Sequence, residues 1–214
     1  MSLTREEAFV RSDNEEDESF YDQPRFVTHI DDAAIARVTE LYREWFPPNG
    51  AILDLMSSWV SHLPEDATYE RVVGLGMNEA ELRANPRLDE YVVQNLNERP
   101  RLPFGDSEFD ACGICVSIQY LTRPVEVLHD VGRCLKDGAP IVITFSNRCF
   151  PTKAVHIWQM LDDEGHGELI KEYLRQAGNW EAIEFLECSP RMKSSDPLYA
   201  VIARKMKSNA HEQL

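Results

Sequence analysis

Segments of apolar, strand-like character alternate with amphipathic helical segments along most of this 214-residue chain, and the last two strand segments follow one another with no helix between them. These two observations predict an α/β fold. Parallel strands need a crossover to return the chain, usually a helix, and helices on both faces of the resulting sheet make a three-layer sandwich. The closing pair needs no crossover and is expected to join antiparallel. A third observation sets the scale: 43% of the residues are hydrophobic, enough for one well-filled core, while no apolar run approaches the roughly 18 residues of a membrane span.

In chain order, Asp31-Asp32 opens an amphipathic helix on which Ile35, Val38, Tyr42 and Trp45 recur at helical spacing, and Pro47-Pro48-Asn49-Gly50 ends it. Ile52-Leu53-Asp54-Leu55 is the first strand. A short helix is expected after it, cut off by Pro64 and Glu65-Asp66. Arg71 to Leu75 is strand two, Asn78 to Asn85 a brief helix stopped by Pro86, and Tyr91 to Gln94 strand three. After a proline-punctuated loop from Arg99 to Gly105 come strand four over Phe109 to Ile118, a helix begun by Pro124 and closed at Gly138, and strand five over Pro140 to Phe145. Two helical segments, Lys153 to Leu161 and Glu168 to Ala177, precede the last strands, Trp180 to Leu186 and Leu198 to Ala203. The expected organisation is one domain over residues 21–206, between an acidic flexible tail (1–20) and a short C-terminal tail (207–214).

The net charge of −15 argues against a nucleic-acid partner, because such a surface repels phosphate backbones. Part of that charge is local: residues 1–20 set Arg5 and Arg11 against seven carboxylates. The start carries no apolar segment behind a basic cluster, so a soluble, cytoplasmic protein with no membrane partner is expected. Five scattered cysteines do not make a disulfide framework. Cys112-Gly-Ile-Cys115 lies in the fourth strand, where residues three apart point to opposite faces, so no metal site is expected from it. HExxH, GxSxG, the phosphate-binding GKS/GKT loop and the dinucleotide-binding GxGxxG are all absent.

Three motifs, in order, carry a family resemblance: Ile52-Leu53-Asp54-Leu55; Leu102-Pro103-Phe104 followed by Ser107-Glu108-Phe109-Asp110; and Leu135-Lys136-Asp137-Gly138. Over roughly Ile30 to Lys205 the chain resembles class I S-adenosylmethionine-dependent methyltransferases of the type 11, small-molecule branch. The resemblance implies a Rossmann-like sheet of seven strands with the last one antiparallel, S-adenosylmethionine as cofactor and a small-molecule acceptor. It implies cofactor contacts from Asp54, Leu55, Met56, Ser57 and Ser58 after strand one, from Gly76, Met77 and Asn78 after strand two, from Asn95 and Leu96 after strand three, and from Ser117 and Gln119 after strand four. The acceptor would lie beneath a lid made by residues 21–29 and 146–153, with His29, Tyr120 and Arg148 as candidates for binding or deprotonating it and Lys153 beside them.

Two stretches depart from the family pattern. Met56, Ser58 and Val60 stand where the family places glycines, and Gly76 stands where it places an acidic residue toward the ribose. A rival reading follows from them: a catalytically inactive protein that keeps the scaffold as a ligand-binding or protein-interaction module.

Overall fold

The computed structural model describes residues 5–192 and 194–208. Seven strands form one sheet: β1 (Ala51–Leu55), β2 (Arg71–Gly76), β3 (Glu90–Val93), β4 (Ala111–Cys115), β5 (Pro140–Phe145), β6 (Trp180–Glu187) and β7 (Tyr199–Lys205). Their order is β3-β2-β1-β4-β5-β7-β6. The first five run parallel, and β7 lies antiparallel between β5 and β6. This is the Rossmann-like methyltransferase sheet that the sequence predicts.

The helices are α1 (Arg5–Ala8), α2 (Asp17–Tyr21), α3 (Asp32–Trp45), α4 (Glu79–Ala84), α5 (Pro124–Cys134), α6 (His156–Gln159) and α7 (Asp163–Ala177). Strand alternation sorts the core into two layers. Leu53, Leu55, Ile114 and Ile143 pack with Val127, Leu128 and Leu174 of α5 and α7, whereas Ile52, Ala111 and Val142 pack with Val38 and Tyr42 of α3. Asp31 caps α3 by accepting the Ala34 N–H at 2.9 Å, and Gly178, with φ of 79°, ends α7 in the left-handed conformation that glycine adopts without strain. Cys112 belongs to the α5/α7 layer and Cys115 borders the α3 layer, which fits their opposite directions on β4.

The crossover from β1 to β2 differs from expectation. Residues 56–70 contain no helix. Met56 and His62 both take left-handed backbone angles, with φ of 57° and 51°, Pro64 removes a donor, and Ser57 and Ser61 bond to Asp54. The loop covers the sheet instead by burying Leu63 in the α3 layer. Strand four is also shorter than expected, because Val116 turns to φ of 42° immediately after Cys115.

The acidic leader is a further difference. Ala8 and Asp17 are buried, and the fully buried Lys153 ammonium meets the Glu15 carbonyl at 2.9 Å, Asp13 at 3.2 Å and Asp17 at 3.5 Å. Asp13 and Asp17 share the Lys153 ammonium, so this part of the leader packs against the body of the protein. Residues 1–4 and 209–214 of the two expected tails lie outside the described residues.

Candidate functional site

The strand order reverses direction between β1 and β4, and in open α/β sheets the crevice at that point, outside the carboxyl ends of the strands, is where ligands bind. A cavity of about 150 Å³ lies there. One water requires about 10–15 Å³ by the same measure, so this space is ligand-sized and not a packing fault.

At the tip of β1, Asp54 is buried and accepts two hydroxyls on Oδ2, from Ser57 at 2.5 Å and Ser61 at 2.7 Å. Among the described residues no cation pairs with it, and burial pushes its carboxyl up to about 6 against the opposing pull of those two hydrogen bonds. Asn85 fastens the loop by donating to the Ser58 carbonyl and the Ser61 hydroxyl. Met56, His62 and Val116 all line the cavity with positive φ. For the β-branched Val116 that conformation is strained, and strain of this kind collects at functional sites.

The end of β2 is shaped by close approach. The Ser57 N–H donates to the Leu75 carbonyl at 2.8 Å, and a Cβ added at Gly76 would sit 2.2 Å from the Ser57 carbonyl oxygen. No acidic side chain can therefore stand there. Glu81, on the first turn of α4, brings a carboxylate to the same wall: Oε2 accepts the Ser58 hydroxyl at 2.5 Å and Oε1 the Arg25 backbone N–H at 2.7 Å. Asn78 is the cap of α4 through the Glu81 N–H, and its amide donates to the Tyr21 and Asp22 carbonyls.

The N-terminal segment roofs the cavity. Glu18 accepts from Asn95 and Asp17 from Asn97, both just past β3, while Asp17 also pairs with Arg11 at 2.7 Å. Trp59 donates its indole N–H to the Val27 carbonyl and meets Phe26 edge-on. Phe150 closes the far side, its N–H donating to the Tyr120 hydroxyl. Two histidines face inward, and burial lowers both: His62 to about 4, with the neighbouring His29 charge as a second cause, and His29 itself, which Arg25 also lowers and Glu81 opposes. Both imidazoles are neutral at neutral pH.

Of the residues expected at a cofactor site, Asp54, Met56, Ser57, Ser58, Gly76, Met77, Asn78, Asn95, Leu96 and Ser117 line this cavity, as do His29 and Tyr120. Leu55 does not, because alternation turns it into the α5/α7 core. Gln119 does not either: a 3-10 turn at Ile118–Tyr120 draws its amide back onto the Val116 carbonyl. Arg148 points away and pairs with Asp196 at 2.7 Å, and Lys153 is held by the leader. Arg25 lies in the expected lid, whereas Arg11, Asp17, His62 and Glu81 were not singled out from the sequence. An acidic leader reads as tail and Glu81 as an ordinary first-turn acid, and only the packing of both onto the loop after β1 brings them to the cavity.

The fold is that of the Rossmann-like methyltransferase sheet, with the cavity at the point where its strand order reverses. Residues 56–143 match the model of a family described as methyltransferase domain. No curated protein matches the chain. Among solved structures, it is similar to the 4+2 cyclase SpnF (TM-score 0.63, 16% identity, 89% of this chain and 92% of that one). It is also similar to a chain from the Haloferax volcanii complex between the Trm112 methyltransferase activator and a methyltransferase (TM-score 0.61, 14% identity, 83% and 92%). A third is phosphoethanolamine N-methyltransferase 2 of Haemonchus contortus, solved with S-adenosyl-L-methionine (TM-score 0.59, 14% identity, 80% and 52%). At these identities the structural likeness carries the fold alone, and the family match spans residues 56–143, less than half of the chain. Among the described residues no helix is long and apolar enough to cross a membrane.

Proposed function

We propose that the chain transfers a methyl group from S-adenosylmethionine to a small-molecule acceptor inside the roofed cavity. The observation that carries this reading is the pair of buried carboxylates, Asp54 and Glu81, on the wall of the cavity at the reversal of strand order, since among the described residues neither has an ion-pair partner and their charge fits a cationic ligand. Bound there, the cofactor supplies an activated methyl group on a sulfonium.

The chain's own residues do the remainder. Asp54, Met56, Ser57, Ser58, Gly76, Met77, Asn78, Asn95, Leu96 and Ser117 would form the cofactor wall. Tyr120, Phe150, Trp59 and the two histidines would enclose the acceptor. Transfer from a sulfonium asks the protein chiefly to position its reactants and exclude water, which the roof of residues 21–30 serves. His29, neutral at the working pH, would take a proton from a hydroxyl or ammonium acceptor, while His62, lowered to about 4, is too weak a base for that and would serve as wall. A small acceptor is favoured because the roof of residues 21–30 covers part of the space and narrows it.

One observation favours the inactive-scaffold rival: the Ser57 carbonyl fills the place where the family's ribose-binding acid would project. Calorimetric titration with S-adenosylmethionine and S-adenosylhomocysteine separates the two. The transferase reading expects binding by at least one, and no heat from either up to about 1 mM would end it.

A further inference from the structure

The cavity wall carries more charge than its own ion pairs neutralise. Arg11 and Asp17 compensate each other at 2.7 Å. Asp54 receives only the hydroxyls of Ser57 and Ser61, both on Oδ2, which leaves Oδ1 without a protein donor among the described residues. Glu81 receives one hydroxyl and one backbone N–H. Neither carboxylate forms an ion pair among the described residues, and His29 and His62 stay neutral through burial. Above them, the Arg25 guanidinium lies 4.4 Å over the Phe20 ring and donates to the Phe20 carbonyl. The floor thus carries two uncompensated negative charges and the roof one positive charge.

A buried carboxylate facing only neutral donors is incompletely solvated, and a ligand cation restores the lost stabilisation far more strongly there than in water. An excess of one negative charge suits a ligand of net charge +1. Resting on the methyl-transfer reading above, we propose that Asp54 and Glu81 select the adenosyl cofactor by charge, favouring S-adenosylmethionine over the neutral S-adenosylhomocysteine that it becomes. In the transfer, the sulfur–methyl bond breaks with its electron pair staying on sulfur, the methyl carbon bonds to an acceptor lone pair, and the acceptor's proton passes to solvent or an imidazole. The cofactor's charge falls by one, and its product form loses the attraction that held the donor form.

The test is calorimetry on the full chain at pH 7.5 with S-adenosylmethionine, S-adenosylhomocysteine and sinefungin, whose amine replaces the methylsulfonium and keeps the net charge. Both cationic ligands are expected to bind at least about fivefold more tightly than S-adenosylhomocysteine. Asp54→Asn and Glu81→Gln should each bring that ratio toward one by weakening the cationic ligands more than S-adenosylhomocysteine. Two independent carboxylates are tested because Glu81→Gln also touches the roof through Arg25, and circular dichroism establishes that each variant is folded. Equal or tighter binding of S-adenosylhomocysteine by the wild type overturns the inference while leaving methyl transfer standing, as does a ratio unchanged in both variants. Silence with all three ligands removes the methyl-transfer reading and this inference with it.

Discussion

Replacing Asp54 by asparagine should stabilise the folded protein. A carboxyl that releases its proton near pH 6 in the folded state, against 3.8 when unfolded, costs the folded state about 3 kcal/mol at neutral pH. The sign follows from proton counts: between these two pH values the native state binds more protons than the unfolded chain, so stability falls as pH rises through the window. The groups facing Asp54 are Ser57 and Ser61 on its own loop, Tyr42 on α3, and Cys112 and Cys115 on β4. Burial raises the tyrosine and both thiols, so all of these stay neutral throughout and none supplies a compensating cation. Asparagine keeps the volume and can still bond both serines, so a gain of about 1–3 kcal/mol is expected at pH 7.5, or about 2–10 °C in melting temperature for a chain of this length. Urea unfolding of both proteins from pH 8 to pH 3.5 checks it. The gain should hold above pH 6, shrink as pH falls and vanish near 3.8. A variant that is less stable at pH 7.5, or a difference that does not vary with pH, would refute the reasoning.

Three other outcomes follow from the same geometry. Gly76→Ala drives a Cβ against the Ser57 carbonyl, a backbone atom with little freedom to retreat, and should destabilise the protein by about 1–3 kcal/mol in chemical denaturation. Lys153→Ala leaves Asp13 and Asp17 facing a buried vacancy and should loosen the leader by about 3 kcal/mol. Tryptic cleavage at Arg11 and Arg25 should accelerate at least about tenfold, well before the body of the protein is cut. Ser58→Trp fills the cavity and breaks the hydroxyl bond to Glu81, so calorimetry should show S-adenosylmethionine binding lost while the melting temperature changes by no more than a few degrees.

The sheet was legible because each strand is a short apolar run and each surviving crossover helix carries its own period; Pro124 marks the start of α5 to the residue. The crossover after β1 was not. Its conformation depends on left-handed angles at Met56 and His62 and on serine hydroxyls turned toward Asp54, and neither has a local sequence signal. Missing glycines at 56–60 read as damage to a turn, whereas the structure moves the close approach to the other side of the contact, where Gly76 admits the Ser57 carbonyl. Asp54 and Ser58, which line the cavity, were legible as candidates because motif order fixes them. Glu81 and Asp17 were not, since their roles arise from long-range docking of α4 and the leader around the loop. Arg148 failed as a candidate for the same kind of reason: Asp196, 48 residues away, takes its guanidinium.

The central claim is that this cavity binds S-adenosylmethionine, and backbone amide chemical-shift mapping of the full chain tests it most directly, because it reports binding and place together. Saturable shifts concentrated at Asp54 to Ser58, Gly76 to Glu81, Asn95 to Asn97 and Val116 to Ser117 are expected, with smaller changes along the roof at Arg25 to Ile30. No shift at about 1 mM cofactor, or shifts gathered at the opposite end of the strands around Trp45 and Arg204, would contradict it.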